Sequence, residues 1–287
     1  MVIDLSAQSI PQETAPFGAH APTSLVRAGL AVTAALPDTW LGRRCAFSLR
    51  NLVLRKLAGE PVDIEALDAK MRVEPYHNVS EKKVLFTPQY FDAEELGILR
   101  RFLVNDFVFL DVGANIGFYA LHAAAHAGPR ARILAIEPQP DMFERLVFNI
   151  GINRFGTIKA MACALADRAG EVTLFLDPSN SGQASIKIVG PANAPSLRVP
   201  AKTMMDVVRE ERFEHIDAIK LDVQGAEDLI LEPFLANAPA ELLPRLIILE
   251  NSESRWQIDL HALLRANRYR EITRTRLNVV YVFDGAE

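Results

Sequence analysis

The sequence predicts an α/β protein built on a doubly wound, mostly parallel sheet. Short apolar runs bounded by turn residues alternate with helical stretches from residue 107 onward, as buried parallel strands and their crossover helices do. A glycine-bearing turn follows the first of these runs directly. The last two strand-like runs are joined by 274–278, too short for a crossover helix, so as neighbours they must pair antiparallel.

The elements follow in order. Residues 1–24 are rich in Ala, Pro, Ser, Thr and Gln and are expected to be poorly ordered or loosely docked. Arg43 to Leu57 carries apolar side chains at Ala46, Phe47, Leu49, Leu52, Val53 and Leu57, the spacing of one buried helix face. Pro61 predicts a turn and then a helix over Ile64–Met71. Together 1–80 read as a helical cap and 81–287 as the main domain. Lys83–Phe86 reads as a short strand, and Asp92 as the cap of a helix to Leu103, with Glu94 and Glu95 suited to its first turn. Strands are expected at Phe107–Asp111, Arg132–Glu137, Ile158–Ala162, Glu171–Leu176, Ile216–Leu221, Leu246–Glu250, Tyr269–Thr273 and Val279–Phe283. Helices are expected from Phe118 to His126, from Pro140 to about Asn153, from Thr203 to Glu211, over 226–231 and from Arg255 to Ala266. Residues 177–197 read as a loop holding at most a short strand.

Composition narrows the function. The 287 residues are 49% hydrophobic and 23% charged, enough for a sizeable core. A net charge of −5 gives no general attraction to phosphate backbones or anionic lipid, so neither nucleic acid nor membrane is the expected partner. Two distant cysteines, Cys45 and Cys163, read as reduced thiols in a cytoplasmic protein. The first residues lack a signal-peptide pattern, and Ala28–Leu36 is too short to span a bilayer.

The chemistry centres on Asp111-Val-Gly113-Ala-Asn115-Ile-Gly117, at the carboxyl end of the first core strand, where open α/β sheets bind ligands. Gly113 admits a close backbone approach, and Gly117 lets the next helix pack on the strand. Asn115 can meet a carboxylate or fix the loop. Asp111 argues against a pyrophosphate cradle and suits a ligand with an ammonium group. The dinucleotide pattern Gly-x-Gly-x-x-Gly is not met. Glu137 ends the second strand, where an acid can accept both ribose hydroxyls. A nucleoside with a charged tail satisfies both features. Asp222, at the end of a central strand, could steer an acceptor hydroxyl or take its proton, or could simply cap the following helix. Glu227 suits a helix N-terminus, and Glu250 is a further strand-end acid. No ligand set for a metal is evident among them. His77 could meet a substrate from the cap side. His122 and His126 lie one turn apart, and a surface or packing role is the commoner one for such residues.

Four stretches together resemble the FkbM family of methyltransferases: Asp111–Gly117; Ile136-Glu137-Pro138 with Phe143 and Asn149; Ile219–Glu227; and Ile248-Leu-Glu250. The resemblance spans about 85–283. It implies a seven-stranded, Rossmann-like class I methyltransferase domain that takes S-adenosyl-L-methionine. It implies that Asp111, Gly113, Asn115 and Gly117 line the methionine and ribose end, that Glu137 holds the ribose, and that Ala164 and Leu165 lie near the purine; Asp222, from its place at a strand end, is expected beside the cofactor. It favours transfer to an oxygen on a small molecule, a sugar or secondary metabolite, with the cap helices and 177–197 as the substrate wall. A homodimer is compatible with it. The family's later motif usually reads Lys-x-Asp-x-Glu-Gly-x-Glu, whereas this chain has Gln224 at the fifth place. That difference keeps a non-catalytic cofactor-binding module as an alternative, and a nicotinamide-dependent oxidoreductase is a weaker one.

Overall fold

The computed structural model describes residues 2–3, 15–37, 39–177, 180, 182, 184–187 and 195–285. In chain order the elements are β1 (Val2–Ile3), α1 (Ser24–Ala35), α2 (Trp40–Leu57), β2 (Val62–Ala66), β3 (Ala69–Val73), α3 (Val79–Phe86), α4 (Ala93–Phe102), β4 (Val108–Val112), α5 (Phe118–His126), β5 (Arg132–Ile136), α6 (Pro140–Gly151), β6 (Ile158–Met161), β7 (Ala164–Leu165), β8 (Gly170–Leu176), β9 (Ala184–Ser185), β10 (Ser196–Lys202), α7 (Met204–Glu211), β11 (Ala218–Leu221), α8 (Glu227–Asn237), β12 (Leu246–Glu250), α9 (Leu260–Ala266), β13 (Tyr269–Arg274) and β14 (Asn278–Phe283).

A seven-stranded sheet of order β13-β14-β12-β11-β4-β5-β6 carries the architecture. The five strands β12, β11, β4, β5 and β6 run parallel, and β14 and β13 close the sheet antiparallel. The chain leaves β4 toward β5 and β6, then returns to the other side of β4 as β11. Strand order therefore reverses between β4 and β11, which opens a crevice at their carboxyl ends. Register there places Asp111 opposite Lys220 on one side and Ala135 on the other. Side chains of one sheet face, such as Phe109, Ile133 and Ile248, pack with α5 and the hairpin β2–β3. Those of the other face, such as Leu110, Leu134 and Ile247, pack with α7, α8 and α9.

Several elements differ from the sequence expectation. Residues 64–71 form a hairpin, not a helix: Val62 and Ile64 pair across Val73 and Met71, and Leu67-Asp68 make the turn. Ala69, Met71 and Val73 are buried on a period of two, which the short window hid. Residues 83–86 belong to a helix, not a strand, because Asn78 caps α3 by accepting from the Ser80 and Glu81 backbone N–H at 3.0 and 3.2 Å. The helix after Gly225 runs past Pro233 to Asn237, and the one placed at 255–266 begins only at Leu260. β10 was unforeseen: Leu197, Val199 and Ala201 point inward, but Pro195 and Pro200 gave its sequence the look of a loop. It forms a small second sheet with β1, β7, β8 and β9. Of the first 24 residues, 1 and 4–14 lie outside the described residues, as do 178–179, 181, 183 and 188–194 of the expected 177–197 loop. Residues 15–20 are docked. The buried Arg72–Asp63 ion pair (2.7 Å) receives the Gly18 and His20 backbone N–H on Asp63, and Arg72 donates to the Ala15 and Pro16 carbonyls. Among the described residues no helix is long and apolar enough to cross a membrane.

Asn149 on α6 ties the hairpin to the glycine loop. Its Oδ1 accepts from the Arg72 N–H at 2.8 Å, and its Nδ2 donates to the Ile116 carbonyl at 3.1 Å, with the side chain fully buried. Asn149→Ala leaves two buried backbone groups unpaired and should cost about 2–4 kcal/mol. Urea denaturation of the variant checks this; a loss below 0.5 kcal/mol would show that the tie carries no weight.

Candidate active site

The crevice at the β4–β11 switch holds a cavity of about 180 Å³. Asp111, Gly113, Asn115, Glu137, Ala164, Leu165 and Asp222 all line it. Gly117 does not. It lies behind the loop, where an added Cβ would stand 2.8 Å from Leu146 Cδ1, so its role is to let α5 start close against α6. This is the packing role expected of Gly117, which is not among the residues lining the cavity.

The bend after β4 is forced by local chemistry. Gly113 has φ +77°, and a Cβ there would sit 2.0 Å from the Asp222 carbonyl oxygen, so the two strand ends approach only because this residue is glycine. Asn115 also takes a left-handed φ, +53°, which asparagine tolerates. Its backbone N–H donates to Glu137 Oε2 at 2.8 Å. Its side-chain Oδ1 accepts from its neighbour's Ile116 N–H at 2.9 Å and from Asn78 Nδ2 at 3.1 Å. Glu137 Oε1 accepts from the Gln139 N–H at 2.9 Å. Each Glu137 oxygen thus accepts from one backbone donor and has capacity for another, and the residue lines the cavity.

Asp111 is buried beneath the bend. Its Oδ2 accepts from the Ala120 N–H at 3.0 Å in the first turn of α5, while its Oδ1 has no hydrogen-bond partner. Lys220 stands beside it, over the Tyr119 ring at 4.8 Å, and donates to Asp222 Oδ2 at 3.1 Å. The Tyr119 hydroxyl donates to Asp92 Oδ2 at 3.0 Å. Gln224, held at φ +56°, donates through one amide nitrogen to Asp222 Oδ1 (2.9 Å) and to Glu250 Oε1 (3.0 Å), and its backbone N–H reaches Glu250 Oε2 at 3.1 Å. Glu227 lies below, accepting from the Val223 and Gly225 N–H and from Trp256 Nε1. It fixes the loop rather than the ligand wall.

Burial sets the charge states. It raises Asp111 to about 6, although Lys220 and the Ala120 N–H pull the other way and Asp222 adds to the rise. Burial raises Glu137 to about 7, with Asp111 and Asp222 adding to the rise and its two backbone donors opposing it. Burial, then the Asp222 and Glu227 charges, push Glu250 up to about 9. Burial works against the Lys220 ammonium, yet Asp222 and Asp111 outweigh it and raise its pKa.

Sequence reasoning missed three residues. Asn78 couples the α3 cap to Asn115, and an Asn-x-x-Glu cap pattern marked it. Tyr119 and Asp92 form one wall; the helix following the glycine bend was the available signal for Tyr119. His77 is exposed on the cap side and does not line the cavity. A second, wider cavity of about 730 Å³ adjoins the first, sharing Val79, Lys83, Asp92 and Leu277 with it. Its far wall is α1 and α2, including Arg50, whose buried Nε has no hydrogen-bond partner.

A seven-stranded sheet closed by an antiparallel hairpin, with acids at the ends of its first two core strands around a glycine bend, defines a class I methyltransferase. Residues 111–272 match the methyltransferase FkbM domain model. The chain belongs to the FkbM methyltransferase family. It is similar to methyltransferase sdnD of Sordaria araneosa, 28% identical over 223 residues, covering 68% of this chain and 82% of that one. It is also similar to hexuronic acid methyltransferase AglP of Haloferax volcanii, 26% identical over 129 residues, covering 45% of this chain and 50% of that one. Among solved structures, a methyltransferase from Geobacter sulfurreducens matches with 12% identity, 90% and 96% coverage and a TM-score of 0.42. Family membership removes the oxidoreductase reading.

The three raised carboxylates make stability fall with rising pH. A carboxylate whose folded pKa lies above its unfolded value favours the native state while protonated, and that advantage is lost as pH climbs through the folded value. Ligand-free protein should therefore lose stability between pH 7 and 9, chiefly through Glu250. Guanidinium melts across that range should show a shallower decline for Glu250→Gln; parallel declines in variant and wild type would reject the assignment.

Proposed function

We propose that the protein uses S-adenosylmethionine to methylate a hydroxyl of a small molecule, a sugar or secondary metabolite. One observation carries this reading: the cleft wall is overwhelmingly acidic. Asp92, Asp111, Glu137, Asp222 and Glu250 line it, against Lys83 and Lys220 as the cationic residues among those described. Such a site favours a ligand bearing positive charge, and it matches a cofactor with an ammonium and a sulfonium.

The residues fit that group. Asp111 Oδ1, buried and unpartnered, would take the ammonium end over the Gly113 bend. The free lone pairs of Glu137 would accept the two ribose hydroxyls. Ala164 and Leu165 would flank the purine. Bound there, the cofactor supplies an electrophilic methyl group. The chain's own work is positioning and water exclusion, which supply much of the rate in a direct displacement. Asp222, clamped by Lys220 and Gln224 and one-third exposed to the cleft, would orient the acceptor hydroxyl and receive its proton as the new C–O bond forms. The acceptor would enter through the second cavity, against α1, α2 and the β13–β14 loop. The similarity to a hexuronic acid methyltransferase from Haloferax volcanii supports a sugar-type acceptor.

Gln224 favours turnover over a degenerate pocket. Its amide donates to both Asp222 and Glu250, which keeps Asp222 ordered.

Titration calorimetry tests the cofactor. S-adenosylmethionine and S-adenosylhomocysteine should both bind, and Glu137→Ala should weaken both at least tenfold, about 1.4 kcal/mol. Absence of heat with either ligand rejects the reading. At pH 7, where Glu137 is partly protonated, binding should release protons, more for the cationic sulfonium than for the neutral thioether. Observed heats should then differ between phosphate and Tris buffers. Once an acceptor is in hand, Asp222→Asn should lower kcat by about 10²–10⁴ while leaving cofactor affinity within a few fold; equal losses in both would make Asp222 a cofactor ligand only.

A further inference from the structure

Away from the cleft, α5 and the β2–β3 turn bring together three side chains that no step of methyl transfer employs. His122 and His126 are four residues apart, so both imidazoles lie on one face of α5, with ring centroids 4.7 Å apart. Facing them is Asp68, at the tip of the two-residue turn. His126 Nε2 lies 2.9 Å from Asp68 Oδ2, and His122 Nδ1 lies 4.0 Å from the same oxygen. One ligand atom from each residue falls within 4.8 Å of the other two.

The turn is bent to make this meeting. Leu67 and Asp68 both have left-handed φ, +53° and +65°, a conformation that is costly for leucine. It aims the Leu67 carbonyl at His122 Nδ1, 3.2 Å away, and the Asp68 carboxylate at both rings. His122 is buried, and its Nε2 has no hydrogen-bond partner. His126 is partly exposed and Asp68 mostly so, leaving one side open to solvent.

We propose that Asp68, His122 and His126 form a binding site for a divalent transition-metal ion of the Zn²⁺ type. A His-x₃-His pair on one helix face plus a carboxylate is a borderline-soft N₂O donor set, which favours Zn²⁺ over the oxygen-seeking Mg²⁺ and Ca²⁺. The fourth position faces the Leu67 carbonyl and solvent. The site lies one to two turns along α5, roughly 5–12 Å, from the residues that line the cleft, Phe118 and Tyr119. Its role is therefore to clamp the hairpin onto α5, reinforcing the Asn149 tie, and not to take part in methyl transfer. The sequence had favoured a surface or packing role for the two histidines. The turn supplies the third ligand from 54 residues upstream of His122, which spacing along the helix could not reveal.

The test uses full-length, tag-free protein. Zn²⁺ titration followed by calorimetry should give one site per chain, and Co²⁺ should give the visible absorption of a low-coordinate complex. Zn²⁺ should also raise the thermal unfolding midpoint. His126→Ala and Asp68→Asn alter exposed or partly exposed side chains, and asparagine keeps the left-handed turn accessible. Both should stay folded and lose Zn²⁺ affinity by tenfold or more. Absence of binding at 100 μM Zn²⁺, or binding unchanged in both variants, overturns the proposal. The second result would place the ion elsewhere, for example on the exposed Cys45.

Discussion

The parallel pairing of β11 beside β4 sets Asp111 opposite Lys220, and the rest of the site is organised around that buried ammonium. Two strand ends meet where the chain reverses its winding, and both end in acids. Without a cation between them, Asp111 and Asp222 would repel across a dry gap. Lys220 answers both, yet one ammonium cannot also balance Glu137 and Glu250 nearby; burial first, and then the neighbouring carboxylates, raise the pKa of each. The same register brings Gly113 so near the Asp222 carbonyl that no side chain fits, making the close approach and the electrostatic design one constraint.

The core strands were legible because each is an apolar run buried on both faces, a pattern independent of context. Leu246–Glu250 matches residue for residue, and the closing hairpin followed from loop length alone. The failures share a cause. At 64–71 a hairpin with a two-residue turn packs its apolar side chains so tightly in sequence that it mimics one helical turn. At 83–86 a capped helix of eight residues contains an apolar cluster as dense as a strand. At 196–202 the prolines concealed a strand whose inward residues alternate correctly. Short elements are decided by what they pack against, which no window of a few residues contains.

The site was legible where an element of the sheet delivers a residue to a strand end, as with Asp111, Glu137 and Asp222. It was illegible where two distant segments meet. Asn78 reaches Asn115 across 37 residues, and Asn149 joins Arg72 to Ile116 across 77 and 33. These amides make the glycine bend a shared property of the cap and the sheet. Movement of the β2–β3 hairpin must displace the Ile116 carbonyl, and with it the loop on which Asn115 meets Glu137.

Gln224 shows why a motif departure is best judged from its surroundings. An acid is usual at that position, and its loss alone reads as a lost catalytic group. Here one amide nitrogen lies between Asp222 and Glu250 and donates to both. The amide holds Asp222 from one side while Lys220 holds it from the other. What the sequence presents as a missing charge is, in the folded protein, the second arm of the clamp on Asp222, a carboxylate that lines the cleft.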